Sequence, residues 1–280
     1  MAAAAFAYEP QVIDNVDFKF KAVCPVNNAI IYEQPLNERV RTFLRLEYLF
    51  QHLHASMVGP SVWESRVAVT TLIEMMGVFG RTELKSDILR ELEKQSSTLE
   101  RLENAPNVDH ELLHTLINNL DTLTDRVYTM EGQIGAELRQ SEMLKSIMQR
   151  SSIPGGTCDF DLPGYHYWLQ QTSDTRQHDL GRWAGTLDAV RASINLILKL
   201  LRESAGSQPE IAQGGILQKT FEANVAYQLL RVIVPRELPF YVEVSGSKHR
   251  FSMRFMEFSA NARARQTDQD VHFKLACCVL

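Results

Sequence analysis

The chain has few cysteines and no long apolar run. These two features argue against a metal-binding protein and against a membrane-spanning one. Its four cysteines, Cys24, Cys158, Cys277 and Cys278, form no C-x-x-C motif and have no metal-ligand spacing against histidine. We therefore expect reduced thiols in a cytoplasmic protein that holds no metal. No apolar stretch approaches the roughly 18 residues that a membrane-spanning helix needs. The first residues also lack the basic region of a signal peptide, so we expect no membrane partner.

Catalytic motifs are also missing. The sequence contains no P-loop, no dinucleotide-binding glycine fingerprint, no G-x-S-x-G and no H-E-x-x-H motif. Asp159, Asp161 and His166 lie near Cys158 and could form a hydrolytic or metal site, but turn capping and packing explain them more simply. We therefore expect a protein that is not an enzyme and needs no cofactor, with a hydrolase as the open alternative.

The charge is acidic overall but unevenly distributed. The chain has 29 basic and 34 acidic side chains, a net charge of -5, which argues against a protein that coats nucleic acid or an anionic membrane. Residues 81–150 contain nine basic and thirteen acidic side chains, whereas residues 236–265 contain six basic and three acidic ones. A local basic surface near the carboxyl terminus is therefore expected.

Capping signals and apolar spacing predict that the first part of the chain is helical. A helix is expected after Asn37, a residue type that caps helix N-termini. A second helix should begin with Ser61 and Glu64, which have the spacing of a capping box, and should end near Gly80. Further helices are predicted at about residues 82–102, 113–130 and 137–150.

Two of the apolar repeats are long. Leucines recur every three or four residues between Leu113 and Leu123 and form a seam that needs a partner helix, either in the same chain or in a second subunit. The same rhythm from Leu180 to Leu201 predicts one long helix that ends before Gly206. Between these repeats, residues 151–170, SSIPGGTCDFDLPGYHYWLQ, interrupt the helices and mark a structural seam.

The pattern changes after residue 205. Short segments rich in β-branched and aromatic residues predict strands at about residues 224–234, 240–245, 249–258 and 270–278, paired in an antiparallel sheet. The predicted fold class is therefore α+β, a helical domain followed by a small, mainly antiparallel β domain. The predicted division is a flexible N-terminal extension of residues 1–30, a helical domain of residues 31–205 that contains the seam, and a β domain of residues 206–280.

Alternation along the strands predicts a basic face. Side chains of a strand point alternately to its two sides. In the third predicted strand, Phe251, Met253 and Phe255 share the core side, whereas Arg250 and Arg254 share the other. His272 and Lys274 repeat this pattern on the last strand, and Lys248 lies in the preceding turn. We expect neighbouring strands to gather these side chains into one basic platform.

An acidic peptide is the favoured ligand of this platform. Guanidinium groups pair with carboxylates in a bidentate manner, and an edge strand can accept an extended peptide. Two alternatives remain open. The arginines and lysines could simply be the solvent face of a sheet, where they discourage edge pairing. A nucleic-acid or other polyanion-binding adaptor is the second alternative, although the aromatic side chains lie on the face opposite the arginines.

The chain also contains three blocks that carry a family resemblance. They are YEQPLNERVRTFLRLEYLFQHL from Tyr32, SSIPGGTCDFDLPGYHYWLQ from Ser151 and VSGSKHRFSMRFM from Val244, with FKLACC near the end. Together they resemble the ZapD family of bacterial cell-division proteins over about residues 31–278. The resemblance implies a cytoplasmic, non-enzymatic homodimer that is recruited to midcell by the tubulin-like protein FtsZ. It further implies that this dimer binds the C-terminal tail of FtsZ, bundles its protofilaments and promotes Z-ring assembly.

The resemblance also implies which residues bind the FtsZ tail. They are Arg45, His166, Arg250 and Arg254, with Lys248 and Arg139 as additional members. For Arg250 and Arg254 this agrees with the argument from strand alternation. For Arg45 and His166 the resemblance is the only reason to assign a role. Neither nucleic acid nor a membrane is expected as a partner.

Overall fold

The helices precede most of the strands, and the predicted α+β class is confirmed. The computed structural model describes residues 28–80, 83–103, 105, 108–247 and 249–280. Within these ranges the helices are α1 (Glu38–Met57), α2 (Val62–Phe79), α3 (Leu84–Glu100), α4 (His110–Tyr128), α5 (Ala136–Gln140), α6 (Glu142–Arg150), α7 (Pro163–Leu169), α8 (Ser173–Gly185) and α9 (Asp188–Glu203). The strands are β1 (Ala29–Pro35), β2 (Gln208–Ala212), β3 (Ile216–Thr220), β4 (Leu229–Pro235), β5 (Phe240–Gly246), β6 (Arg250–Glu257), β7 (Arg265–Gln266) and β8 (Val271–Cys278). Of these described helices, none is both long and apolar enough to cross a membrane.

Local side-chain contacts fix the starts of the first two helices, as predicted. Asn37 Oδ1 accepts a hydrogen bond from the Val40 amide at 2.9 Å. Ser61 Oγ accepts from the Glu64 amide at 3.2 Å, and the Glu64 carboxylate accepts from the Ser61 amide at 2.9 Å. These bonds satisfy amides that have no partner within the helix.

We expect Ser61→Ala to lower the free energy of unfolding by about 1 kcal/mol, because an N-cap bond to the α2 amides is lost. Urea unfolding followed by circular dichroism measures this change. Ser97→Ala is the matched control, since Ser97 is exposed in the last turn of α3, away from any N-cap position. Alanine is favoured in a helix interior, so the control should not be destabilised. Equal unfolding midpoints for the two variants would contradict the capping role.

The helical core is built around α9. This helix packs against α1, α3 and α4, and its residues Val190, Ile194 and Ile197 are buried. The leucine seam of α4 is buried against α3 and α9, so partner helices for the seam lie in the same chain.

The single long helix predicted from Leu180 to Leu201 is wrong, because α8 ends at Gly185 and α9 begins at Asp188. Thr186 Oγ1 donates to the carbonyl oxygen of Trp183 at 2.8 Å at this break. Glycine and threonine are also weak helix formers. Apolar residues on both sides of the break are buried in the same core. The three-to-four-residue spacing of apolar residues therefore continues across the break, although the helix ends there.

The helices on either side of the seam also differ from prediction. The helix expected at residues 137–150 is divided at Ser141, whose hydroxyl accepts from the Leu144 amide at 3.4 Å and caps α6. Residues 151–161 form turns, in agreement with the interruption predicted there. The short helix α7 then begins at Pro163, a position where the missing amide of proline costs no helical hydrogen bond.

The single predicted sheet is also wrong, because the strands form two sheets. Sheet A has the strand order β1-β4-β8-β2, and sheet B has the order β3-β6-β5 with β7 paired to β6. The two sheets share a hydrophobic core, in which the ring centroids of Phe255 and Phe273 lie 5.0 Å apart. Alternation showed which side of each strand is buried, but it carries no information on which strands are neighbours.

Strand β1 precedes all described helices but pairs with β4 of sheet A. The proposed boundary at residue 30 therefore falls inside a strand, and residues 1–27 of the proposed extension lie outside the described residues. On its other face, sheet A packs against the helices, since Leu229, Ala276 and Cys278 belong to the helical core. Sheet A is thus a middle layer between the helices and sheet B.

Candidate peptide-binding face

The face of sheet B that points away from sheet A is the candidate binding surface, and we call it the outer face. Strand register assigns its members, because residues directly opposite each other in a ladder share a face. On β6 they are Arg250, Ser252, Arg254 and Met256, next to Thr220, Gln218 and Ile216 on β3 and Ser245, Glu243 and Tyr241 on β5.

The predicted alternation along β6 is confirmed. Phe251, Met253 and Phe255 are at most 4% exposed, whereas Arg250 and Arg254 are exposed. The packed core therefore fixes the strand and holds both arginines toward solvent. Of the neighbouring basic residues, His249 is exposed as well, and Lys248 lies outside the described residues.

The two arginines differ in their partners. Arg254 Nη2 lies 3.2 Å from Glu243 Oε2, and these side chains are 60% and 45% exposed. An ion pair this exposed contributes only about 0 to 1 kcal/mol, so a ligand carboxylate can replace Glu243 at little cost. Arg250 forms no ion pair with any described residue. The outer face therefore offers one open guanidinium and one weakly held guanidinium.

The structure does not gather all the predicted basic residues into one platform. His272 and Lys274 lie on β8 of sheet A, on the side opposite Val271 and Phe273, which pack toward sheet B. They therefore point away from sheet B and toward the helical side of sheet A. The prediction of one platform that includes these two residues is wrong, because β6 and β8 belong to different sheets.

The remaining predicted residues lie in the helical body. Arg45 is exposed on α1, and His166 is exposed on α7. Arg139 on α5 is half-buried, and its Nη1 donates to the carbonyl oxygen of Ile134 at 3.2 Å, which indicates a structural role. Sheet A lies between this body and sheet B, so these residues and the two β6 arginines belong to different layers of the fold.

Aromatic residues of the interruption at residues 151–170 form a packed joint with the neighbouring helices. The Arg66 guanidinium lies over the ring of Trp63 at 5.7 Å and over that of Tyr165 at 5.3 Å. Burial raises the pKa of Tyr165 to about 12. Trp168 stacks on Tyr165 and donates through Nε1 to Asp179 at 2.9 Å. These contacts attach α7 to α2 and α8, while His166 faces solvent.

Arg176 is buried inside this joint and stabilises it by hydrogen bonds. No sequence pattern indicated this role. Although it is only 4% exposed, its bonds go to neutral groups. Its Nε donates to Ser65 Oγ at 3.0 Å and its Nη2 to the Pro60 carbonyl at 2.7 Å, and its Nη1 donates to the carbonyls of Leu169 and Gln171. Arg176 therefore connects the start of α2 with the segment between α7 and α8.

The residues of the hydrolase alternative are only partly brought together. Cys158 Sγ donates to Asp161 Oδ2 at 3.3 Å, so these two side chains do meet. The exposed His166 side chain hydrogen bonds to neither of them. In the described part of the chain, no group of three or more His, Cys, Asp or Glu residues could hold a metal ion.

A charge network connects the helical body to sheet A. Arg202 of α9 makes two hydrogen bonds to Glu33 of β1 at 2.8 Å and two to Glu47 of α1 at 2.7 and 2.6 Å. Arg231 of β4 adds a bond to Glu33 at 2.9 Å. Burial alone would raise the pKa of Glu33, but the bonds and charges of Arg202 and Arg231 hold it below its ordinary value.

The fold and the outer face together define an α+β protein whose candidate binding surface is a sheet face with two exposed arginines. Comparison with known proteins identifies its family. A family model described as "ZapD: Cell division protein" matches residues 44–254. Proteins named "Cell division protein ZapD" from Methylococcus capsulatus, Ralstonia pickettii and Nitrosomonas eutropha are 43%, 39% and 38% identical to the chain. These alignments cover 91%, 89% and 90% of this chain and 100%, 99% and 100% of the relatives.

The chain belongs to the ZapD family of cell division proteins. The resemblance carried by the three sequence blocks is thereby confirmed, and it supports a role in cell division. The assignment of individual residues to a binding surface stays a prediction.

Proposed function

We propose that the chain binds the C-terminal tail of FtsZ on the outer face of sheet B. As a homodimer it then cross-links and bundles FtsZ protofilaments, and so promotes Z-ring assembly at midcell in the cytoplasm. The observation that carries this proposal is the pair Arg250 and Arg254, which a buried aromatic core holds exposed on one face. Membership of a cell-division family supports the choice of a division protein as the partner.

Two arginines on an exposed face do not give high affinity alone. Exposed ion pairs are weak, and ordered charge-assisted hydrogen bonds contribute about 1.5 to 3 kcal/mol each. A dimer that holds two tails of neighbouring protofilaments gains roughly 100-fold to 10,000-fold in avidity when its geometry allows both contacts. Moderate single sites are therefore sufficient for bundling.

The two chain regions that carry the predicted site residues lie on opposite sides of sheet A. Within a dimer, the helical body of one subunit can approach the outer face of the other. Arg45 and His166 would then extend the surface formed by Arg250 and Arg254. Such an arrangement would let one tail contact residues of both regions.

Arg250→Ala and Arg254→Ala are each expected to weaken binding of an FtsZ tail peptide by roughly tenfold, because each removes a charge-assisted contact. Glu243→Gln should change the affinity in the opposite direction and tighten peptide binding, since it releases Arg254 from its cross-strand partner. Fluorescence anisotropy with a labelled tail peptide measures the three affinities.

Arg126→Ala is the matched control, because Arg126 is an exposed arginine on α4 and its loss changes the net charge equally. Thermal unfolding of every variant should remain within a few degrees of the wild type, since exposed substitutions change stability little. If all the arginine variants weaken binding to the same extent, the contact depends on overall charge, and the outer face is not the site.

A further inference from the structure

We infer that the outward edge of β3 binds an extended acidic segment by strand addition, so that the bound peptide becomes a further strand of sheet B. This inference rests on the proposed function and specifies how the tail binds. The argument depends on the free backbone groups of β3, on the side chains beside them and on the charges of the competing edges.

The hydrogen-bond ladder between β3 and β6 shows which backbone groups of β3 are free. The Phe255 amide donates to the Gly215 carbonyl at 2.8 Å, and the Phe221 amide donates to the His249 carbonyl at 2.9 Å. In an antiparallel ladder the bonded residues alternate, so residues 217 and 219 also point their backbone groups toward β6. The amides and carbonyls of Gln218 and Thr220 therefore point outward, and they form no hydrogen bond among the described residues.

The same register places suitable side chains beside this edge. Ile216, Gln218 and Thr220 lie opposite Arg254, Ser252 and Arg250 in pairs that are not hydrogen bonded, where side chains are closest. Ile216 is 39% exposed and offers an apolar anchor. An added strand would lie about 10 Å from β6, two strand spacings away. Long arginine side chains of β6 can therefore reach carboxylates of the added strand across the shorter side chains of β3.

Charge distinguishes this edge from the others. At the opposite side of sheet B, the outer face of β5 presents Glu243, and β5 also packs close to β1 of sheet A. The two edge strands of sheet A also carry acidic residues: Glu33 on β1 is already bound to two arginines, and Glu210 on β2 is bound to Lys219. An acidic peptide at β5 would meet Glu243 before it reached the arginines of β6, whereas the outer face of β3 places only uncharged side chains between the peptide and those arginines. β3 is also short, with five residues, which suits a short peptide.

The test uses Gln218→Pro in the full-length protein. Proline removes the outward amide at residue 218 without breaking a β3–β6 bond, and proline is tolerated on an edge strand whose amide faces solvent. Gln218→Val is the matched control, because it removes the same side chain but keeps the amide. We expect the proline variant to bind the FtsZ tail peptide about tenfold more weakly than the valine variant in isothermal titration calorimetry.

A second measurement needs no variant. In hydrogen-exchange mass spectrometry of the wild-type protein, added tail peptide should slow exchange in the peptide fragments that contain Gln218 and Thr220. This readout tests the inference even if the proline variant does not fold. Unchanged exchange at β3 in the presence of saturating peptide would overturn strand addition.

The outcomes separate this inference from the proposed function. Equal affinities of the proline and valine variants, with weaker binding by Arg250→Ala, would overturn strand addition and leave tail binding on the outer face intact. No binding of the peptide to wild-type protein would overturn both. A change of subunit association in the proline variant without peptide, measured by sedimentation velocity, would show that a second copy occupies the edge and would also overturn the inference.

Discussion

Arg202→Met is expected to lower the free energy of unfolding by about 3 kcal/mol, because it leaves Glu47 with a desolvated and unpaired charge. The arginine makes four hydrogen bonds to two glutamates, and the three side chains are only 15 to 23% exposed. Removing one partner of a buried ion pair lowers the free energy of unfolding by more than the intact pair contributes, because the other charge stays buried without a partner. Urea unfolding at neutral pH measures the loss.

Arg41→Met provides the comparison, since Arg41 pairs with Glu38 at the surface of α1, where the side chains are 38% and 80% exposed. It should change stability by less than about 1 kcal/mol. Adding Glu47→Leu to Arg202→Met should recover part of the loss, because the unpaired carboxylate is removed. If Arg202→Met and Arg41→Met are equally stable, the network does not hold the helical body and sheet A together.

The stabilisation that Arg202 provides should also depend on pH, because its partner Glu33 is titratable. The pKa of Glu33 in the folded protein lies below its ordinary value of 4.5. Its contribution to stability is therefore present above that ordinary value and is lost as the pH falls through the lower, folded value. The difference in unfolding free energy between wild type and Arg202→Met should accordingly shrink below about pH 4.5.

Reversing both charges of the outer face, Arg250→Glu with Arg254→Glu, is expected to reduce tail affinity by at least about 100-fold, since two attractive contacts become repulsive. Bundling should fall more steeply than single-site affinity, because the proposed dimer would lose both of its sites and with them the avidity. Light scattering of FtsZ polymers, measured beside peptide binding, compares the two losses.

The double reversal Arg101→Glu with Arg126→Glu is its control, because both arginines are exposed in the helical body and the net charge changes equally. This control should bind and bundle like wild type. The β6 double variant must also stay folded, although Arg254→Glu places a second carboxylate beside Glu243 and adds a small cross-strand repulsion. Bundling that survives reversal on the outer face would show that another surface holds the filaments.

Features that depend only on residues close together in the sequence could be predicted from it. Asn37 and the Ser61–Glu64 box marked two helix starts, because a cap uses residues within one turn. Alternation along β6 predicted the exposed pair Arg250 and Arg254, since a strand has a two-residue period. One local signal was overlooked: Gly214 and Gly215, both with positive φ, form the tight turn between β2 and β3.

Features that join distant residues could not be predicted in this way. The Arg202 network joins residues 33, 47, 202 and 231, and no local pattern links them. Arg176 looks like an ordinary helix-surface arginine in the sequence, yet it is buried by packing against the start of α2. The division of the strands into two sheets likewise follows from long-range pairing, which is why His272 and Lys274 were placed on the wrong surface.

The most direct test of tail binding as the basis of bundling is co-sedimentation with FtsZ polymers assembled in GTP, using intact FtsZ and FtsZ that lacks its C-terminal tail. We predict that the wild-type protein pellets with intact polymers and bundles them, that this effect weakens as salt is raised, and that it is absent with tail-less polymers. Equal pelleting and bundling of intact and tail-less FtsZ would contradict the account.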